Sequence, residues 1–405
     1  MKHVALLIPG LDRIGGAERQ VILLAKGLCH RNWRVSVVAL SGNGGCSAGG
    51  LCSAGAAFLS LEMRRGLADP RGWIRFHRWL RREKPDVVHA HLPHAAWLAR
   101  WSRLGASVPV QIDTLHSSST GALGRRLGYR LSGWLPDRVT AVGPAVAESH
   151  LSAGMVRPEK LAILPNGVDL ETFRPDAGLR AAARRELGLP ESGLSEPGLR
   201  EPGLPDQFLW FAAGRLDAVK DYPTLLRAMA ATPQPAHLVI AGGGPLQDEL
   251  LRLSKNLGLG RRVRFLGFAP DVQRWMQAAD AYVLSSLWEG LPMSLMEAGA
   301  CALPAAATDV PGVRDVIVPG LTGCLAPAGD AAALANAMTA IMHLPREERR
   351  AMGNRARQRV SAHFGLNAVL DRWEQLYADL LAERAASTTE ARIPRPIRPR
   401  RPLKG

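Results

Sequence analysis

Long apolar runs are absent from this chain of 405 residues. No run approaches the roughly 20 residues that a membrane-spanning helix requires. The apolar start at residues 4–8 is too short for the core of a secretory signal and is followed by Asp12 and Arg13. The five cysteines, at positions 29, 46, 52, 301 and 324, form neither a C-x-x-C pair nor a metal-like cluster. We therefore expect a cytoplasmic protein with reduced thiols and no structural metal.

The dinucleotide-binding fingerprint G-x-G-x-x-G is also missing. The glycines between Gly10 and Gly16 and the run at 242–244 follow apolar stretches, but neither has the required spacing. The sequence therefore disfavours an enzyme that uses a nicotinamide, and we expect no bound cofactor.

Short apolar runs alternate with longer helical stretches in both halves of the chain. The runs are 4–8, 35–40, 87–90, 108–112 and 139–142 in the first half and 209–213, 238–241, 263–266 and 281–285 in the second. This alternation predicts an α/β fold with parallel sheets covered on both faces. Two such series meet near Asn166-Gly167, so we expect two Rossmann-like, doubly wound domains that face each other across a cleft.

Two glutamates mark the most informative segment, residues 285–297. Proline suits the first turn of a helix, so we expect a helix that starts near Leu291 or Pro292 and carries Glu297. The N-terminus of a helix favours a phosphate, whereas ionised carboxylates accept hydrogen bonds from hydroxyl groups. Glu289 and Glu297 beside such a phosphate site indicate a sugar nucleotide. The alternative is two acidic residues on a solvated helix.

Two cations precede this segment. The apolar run 208–213 predicts a buried parallel strand, which ends at Gly214 and is followed by Arg215 and Lys220. Ligands of open α/β sheets bind beyond the carboxyl ends of the strands, where both side chains would lie. Arg215 and Lys220 suit a pyrophosphate, and the alternative is two solvated cations on a surface loop. Only seven of the 51 basic residues are lysines, so a lysine at this position is informative.

Eight short motifs follow one another along the chain. They are Gly15-Gly16-Ala17-Glu18, 86–91, 113–116 and 165–169 in the first half, and 214–220, 242–246, 263–267 and 289–297 in the second. In this order they resemble retaining glycosyltransferases of family four, which have the GT-B fold. The match spans roughly residues 3 to 380, and the ordered set is far more specific than any single motif.

The resemblance implies a role for each candidate residue. The residues expected to bind the donor are Gly15, Gly16, Gly214, Arg215, Lys220, Arg264, Phe265, Leu266, Gly290, Leu291, Pro292 and Glu297. Of these, Arg215 and Lys220 would hold the pyrophosphate, Glu297 the ribose, and Arg264 to Leu266 would lie near the nucleobase. The expected catalytic residues are His116, Arg215, Lys220 and Glu289. Glu289 would bind hydroxyls of the transferred sugar. For His116, a locally hydrogen-bonded histidine at a strand end is the alternative.

The implied reaction moves a sugar, with retention, from a nucleoside diphosphate sugar to a glycan or lipid-linked acceptor in cell-surface polysaccharide or glycolipid synthesis. UDP-sugars are the default donors, with GDP-mannose second. No Asp-x-Asp motif is present to hold a metal, so fixed cations and a helix N-terminus would stabilise the leaving group. A sugar-nucleotide epimerase of the same fold and a non-catalytic sugar-nucleotide-binding relative are the alternatives.

The domain limits follow from the same patterns. We expect an acceptor-side domain at 1–170, joined by a helix at about 366–385, and a donor-binding domain at 171–365. Residues 41–56 and 190–205 lack apolar bulk and are predicted to be mobile surface loops. Residues 386–405 are predicted to form a disordered basic tail.

The net charge of +15 points to an anionic partner. Residues 71–84 place Trp73, Phe76 and Leu80 at helical spacing between basic residues, as in helices that lie on a membrane surface. The alternative is an amphipathic helix that packs on its own core. We therefore hypothesise peripheral binding to the anionic inner face of the cell membrane. Nucleic acid is not expected, because no recognition motif is present.

Overall fold

The computed structural model describes residues 1–12, 14–64, 67, 69–189 and 207–390. Its first sheet contains β1 (His3–Ile8), β2 (Arg34–Ala39), β3 (Ala57–Ser60), β4 (Val87–His91), β5 (Val110–Leu115), β6 (Arg138–Ala141) and β7 (Leu161–Ile163). These seven strands are parallel, in the order β3-β2-β1-β4-β5-β6-β7. The helices of this part are α1 (Gly16–His30), α2 (Gly45–Ser53), α3 (Pro70–Glu83), α4 (Pro93–Ser102), α5 (Leu123–Ser132) and α6 (Pro144–Ser152).

A second parallel sheet follows. It contains β8 (Phe208–Ala213), β9 (Ala236–Ala241), β10 (Val263–Gly267), β11 (Ala281–Leu284), β12 (Ala305–Thr308) and β13 (Gly323–Ala326), in the order β10-β9-β8-β11-β12-β13. Its helices are α7 (Ala177–Leu187), α8 (Tyr222–Ala231), α9 (Gln247–Asn256), α10 (Val272–Ala278), α11 (Met293–Ala300), α12 (Pro311–Arg314), α13 (Ala331–His343) and α14 (Arg346–Phe364). The predicted fold class, two parallel-sheet α/β domains, is confirmed.

Burial explains which strands the sequence predicts. Every residue of β1 and β8 is buried, and such doubly covered strands give the continuous apolar runs from which they were predicted. β5 starts two residues later than expected, because Pro109 has no N–H for the strand ladder. The strands β3, β7 and β13 have only three or four residues each and were not predicted.

The last helix, α15 (Leu366–Glu390), crosses back to the first domain. The Glu374 carboxylate accepts hydrogen bonds from Arg31 at 2.6 Å and from the Trp33 indole at 2.7 Å. The Tyr377 hydroxyl lies 2.7 Å from Nδ1 of His89 on β4. Helix α15 therefore packs back onto the first sheet.

Two expectations about loops need correction. Residues 45–53 form helix α2, because Leu51 supplies a fully buried anchor among small side chains. Residues 386–390 continue α15. Ala385 and Ala386 favour a helix, and residues 386–393 contain no proline that would end it. The segments 190–206 and 391–405 lie outside the described residues.

Helix α3 buries the aromatic side that was expected to face a membrane. Phe76, Trp79 and Leu80 are buried, and the Trp73 indole donates to the carbonyl oxygen of Leu67 at 2.9 Å. The alternative, an amphipathic helix packed on its own core, is confirmed. Within the described part of the chain, no helix is long and apolar enough to cross a membrane.

Arg100 and Asp113 form a fully buried ion pair, with 2.6 Å between Nε and Oδ2. Arg100→Met should lower the free energy of unfolding of the first domain by about 3–5 kcal/mol, because the Asp113 carboxylate is left buried without its partner. Urea denaturation at neutral pH measures this loss. Arg103→Met is the control, since its partner Asp137 is partly exposed and can be hydrated. Equal losses in the two variants would contradict the prediction.

Candidate functional site

The two domains meet at Gly290, in the loop between β11 and α11. A β-carbon at position 290 would lie 2.2 Å from the carbonyl oxygen of His116, which follows β5 in the first domain. A β-carbon at Gly312 would lie 2.4 Å from the carbonyl oxygen of Gly290 itself. Such approaches are closer than any real side chain allows, so glycine is required for the backbones to touch here.

Helix α11 begins at Met293, one or two residues after the expected start, with Pro292 as its N-cap. A β-carbon at Gly16 would lie 3.4 Å from Cγ of Met293, so the glycine loop of the first domain lies beside the start of α11. The Gly15 N–H donates to the Glu18 carboxylate at 3.0 Å. A donor phosphate would therefore have to displace Glu18 before it could use the Gly15 amide.

Lys220 and Glu289 form the central ion pair of the site. Nζ of Lys220 lies 2.5 Å from Oε1 of Glu289, and the Ser286 hydroxyl donates to the same oxygen at 2.7 Å. Both partners of this pair are largely buried. Oε2 of Glu289 has no hydrogen bond to a described residue. Sequence analysis did not identify Ser286, although its position three residues before Glu289 and two residues after the end of β11 was a usable signal.

Arg215 extends into solvent from the loop after β8. Its side chain is 74% exposed and forms an ion pair with Asp217 at 2.5 Å. Across the cleft, burial raises the pKa of Glu18, while the positive charge of Arg215 lowers it. Arg215 is thus close enough to act on a carboxylate at the start of α1, on the other domain.

Glu297 is buried on α11 and faces the first domain. Its carboxylate lies 3.1 Å from Nη1 of Arg19 on α1. Burial raises the pKa of Glu297 to about 7, and the charge of Arg19 opposes this shift. Sequence analysis did not identify Arg19; its one signal is that it lies one helical turn after Gly16 and so shares a side of α1 with the glycine loop.

Three histidines line the first-domain side of the contact. The ring centroids of His89 and His91 lie 4.1 Å apart with the rings tilted by 36°, and Nδ1 of His91 lies 3.0 Å from Nε2 of His116. Burial lowers the pKa of His116 to about 4 and that of His89 to about 3. Nδ1 of His116 is buried and has no hydrogen-bond partner among the described residues. His116 is therefore neutral at pH 7 and suits a hydroxyl group better than a phosphate.

The remaining predicted residues are Gly214 directly after β8, Arg264, Phe265 and Leu266 within β10, and Leu291 and Pro292 just before α11. The Gly214 N–H donates to Ala241 at 3.0 Å, and Gly242 donates to Gly267 at 2.7 Å, so the loops after these three strands touch. Arg264 is exposed on β10, where it pairs with Val239 of β9. Phe265 and Leu266 pack partly into the cores, and Leu291 and Pro292 are buried. The exposed ring of Phe268 directly follows β10 and was not predicted.

The structure thus brings most of the predicted site residues close together. Lys220 and Glu289 pair, and Gly290 brings them to the end of β5, beside the Gly16 loop. The assigned ligand roles, including a nucleobase near Arg264, stay predictions. No group of His, Cys, Asp and Glu among the described residues could hold a metal ion.

Solved structures define the class of protein. Anabaena HepE in complex with UDP and glucose matches with a TM-score of 0.80 at 19% identity, covering 94% of this chain and 100% of that chain. Sucrose-phosphate synthase from Thermosynechococcus elongatus matches with a TM-score of 0.79 at 23% identity, covering 95% and 100%. The chain has the GT-B glycosyltransferase fold.

Sequence comparison then defines the family. Residues 14–172 match "Glycosyltransferase Family 4" and residues 200–359 match "Glycosyl transferases group 1". N-acetyl-alpha-D-glucosaminyl L-malate synthase of Bacillus anthracis is 30% identical over 75% of this chain and 77% of its own. UDP-Gal:alpha-D-GlcNAc-diphosphoundecaprenol alpha-1,3-galactosyltransferase of Escherichia coli is 24% identical over 78% and 81%. The chain belongs to glycosyltransferase family 4, as the resemblance implied, and is a glycosyltransferase.

Gly290→Ala should lower kcat/KM for sugar transfer by about 100-fold or more, because the new methyl group forces the His116 backbone away from the site. The comparison is with Gly49→Ala on α2, where a β-carbon meets nothing within 4 Å. Steady-state kinetics and thermal unfolding of both variants test this. Full activity of Gly290→Ala would show that the contact between the domains is dispensable.

Glu297→Gln should change how stability depends on pH. The folded-state pKa of Glu297 is about 7 and its ordinary value is 4.5, so the folded state binds the proton more tightly. In the parent protein, the contribution of Glu297 to the free energy of unfolding therefore falls as pH rises from 4.5 through 7. The variant has no carboxyl group at this position and shows no such fall. Melting temperatures from about pH 5 to about pH 8 should diverge in favour of the variant. If the melting temperatures of the two proteins changed with pH in parallel, the raised pKa of the buried Glu297 carboxylate would be refuted.

Proposed function

We propose that this enzyme transfers a sugar, with retention and without a metal ion, from a UDP-sugar to a glycan or lipid-linked acceptor of cell-surface polysaccharide or glycolipid synthesis. The observation that carries this proposal is the Lys220–Glu289 pair, because Glu289 directly precedes Gly290, where the second domain touches the His116 backbone, and lies four residues before the start of α11. It combines a cation, a hydroxyl acceptor and a helix N-terminus at one point between the domains.

The diphosphate would bind between Arg215, Lys220 and the first N–H groups of α11. An ammonium group has three donors, so Lys220 can keep Glu289 and still donate to a phosphate oxygen. The Arg215 side chain, which is 74% exposed, would exchange Asp217 for the second phosphate. The free amides of the helix N-terminus favour the same charge.

The sugars would bind to the two carboxylates. Oε1 of Glu289 already accepts from Lys220 and Ser286, which leaves Oε2 for a hydroxyl of the transferred sugar. Glu297 would accept a hydrogen bond from a ribose hydroxyl once Arg19 releases one of the two carboxylate oxygens of Glu297. A uridine donor is supported by the fold match to HepE in complex with UDP and glucose and by the E. coli relative, which is named for a UDP-Gal donor.

The chemistry needs no protein nucleophile. The bond between the anomeric carbon and the phosphate oxygen breaks, and the acceptor oxygen forms a bond on the same face. The acceptor proton passes to the departing phosphate, so that the products are UDP and the α- or β-linked glycoside with the donor's configuration. Lys220, Arg215 and α11 would stabilise the negative charge as it develops, the task for which fixed dipoles and cations are suited. His116, neutral at pH 7, would orient a hydroxyl of the sugar.

The acceptor proposal rests on the relatives. The E. coli relative is named for a diphosphoundecaprenol-linked GlcNAc acceptor, and the B. anthracis relative for L-malate. A lipid-linked glycan is favoured here because the first domain also carries an exposed apolar helix face, described below.

Turnover of a UDP-sugar should persist in the presence of a chelator, and NMR of the product should show the donor's anomeric configuration. Lys220→Met should lower kcat/KM by about 100-fold or more, because the leaving diphosphate loses a fixed cation. Lys255→Met, an exposed lysine on α9, is the matched control and should keep full activity. A strict need for Mg²⁺ or Mn²⁺, or an inverted product, would refute the proposal. An epimer formed from the donor alone would favour the epimerase instead.

A further inference from the structure

Helix α5 turns its leucines to solvent. Leu123, Leu127 and Leu131 are 79%, 54% and 64% exposed, at intervals of four residues. Gly133 keeps a helical backbone, so Trp134, 53% exposed, continues the same side. We call these four residues the leucine face. Exposed apolar residues scattered singly are common, but a contiguous row on one helix side is a mark of an interaction surface.

The opposite side of α5 is the one that packs on the domain. The rings of Trp97 on α4 pass so close to Gly128 that a β-carbon there would lie 1.9 Å away. Tyr129 and Ser132 are buried against Arg100, which donates to the Ser132 hydroxyl at 2.8 Å. The leucine face therefore has no place in the core of this chain, because the inward side of the helix is fully used by other residues.

Positive charge borders the leucine face. With about 3.6 residues per turn, Arg126 and Arg130 lie on the flank of the leucine row. Both side chains are exposed, and the Arg130 guanidinium also donates to the carbonyl oxygen of Gly154 at 3.2 Å. Residues 114–136 contain no aspartate or glutamate. Two such surfaces on two copies of this chain would repel each other, whereas an anionic lipid layer offers negative head groups above an apolar interior.

We propose that the leucine face docks the enzyme on an anionic membrane surface, with Leu123, Leu127, Leu131 and Trp134 inserted and Arg126 and Arg130 at the phosphate level. The proposal rests on the proposed function and deepens it: α5 begins seven residues after His116, so the membrane would lie on the domain that carries the end of β5. An acceptor anchored in lipid would enter the site from that side. The α3 surface suggested by the sequence is excluded from this role by its packing.

Vesicle flotation of the full chain tests the docking surface without any need for turnover. The protein should float with phosphatidylcholine vesicles that contain phosphatidylglycerol and not with pure phosphatidylcholine at the same salt. Replacing Leu123, Leu127 and Leu131 together by glutamine should lower the partition by about tenfold or more, because their apolar area no longer enters the interface. Glutamine keeps the helix propensity, so the melting temperature should not change.

Leu179→Gln, Leu251→Gln and Leu321→Gln together form the matched control, since these leucines are also exposed but lie in the second domain. This control should float like the parent. Arg126→Gln with Arg130→Gln should weaken binding and flatten its salt dependence. The basic residues of 391–405 remain in every variant, so any loss reports on α5.

Three results would overturn the proposal. The first is undiminished flotation of the α5 variant, and the second is equal binding to vesicles without phosphatidylglycerol. The third is a dimer that the α5 variant abolishes while vesicle binding persists, which would make a second copy the occupant. Turnover with a water-soluble acceptor analogue should be unchanged in the α5 variant. Absence of turnover in every variant would count against the proposed function alone.

Discussion

A side chain at position 290 would lie 2.2 Å from the carbonyl oxygen of His116, and the rest of the site depends on its absence. Through this contact the end of β5 reaches the loop that carries Glu289 and opens α11. Gly312 extends the same contact on the other side of the loop. Without these close approaches the end of β5 and the loop that precedes α11 could not touch.

The charged groups around this contact are already paired with one another. Lys220 pairs with Glu289, Arg215 with Asp217, and Glu297 with Arg19. Pairing lets these charges be held in a partly dry site, since an isolated buried charge would shift its pKa or unfold the region. Under the proposed function, a diphosphate sugar would replace some of these partners, since Arg215 would leave Asp217 and Arg19 would release one carboxylate oxygen of Glu297.

The sequence predicted the elements that are encoded locally and missed those that depend on distant partners. Buried strands such as β1 and β8 appear as continuous apolar runs, and Lys220 and Glu289 follow such runs directly. Arg19 pairs with Glu297 across 278 positions of sequence, and no spacing rule records such a contact. The membrane hypothesis pointed to α3 for a related reason. Both α3 and α5 alternate arginine with apolar residues, but only the packed structure shows which side of each helix is covered.

The buried Arg100–Asp113 pair explains why α5 is turned outward. A charged guanidinium under the helix needs polar and aromatic partners, which Ser132 and Tyr129 supply, and Gly128 makes room for Trp97. The leucines are thereby left on the other side, where each forgoes part of the roughly 1.5–3 kcal/mol that full burial of a leucine contributes. Folding alone cannot recover that free energy, whereas a lipid interface can. The buried polar residues that stabilise the first domain thus leave the leucine face exposed. The proposed docking surface for an enzyme with a lipid-linked acceptor is therefore a consequence of how one ion pair is packed.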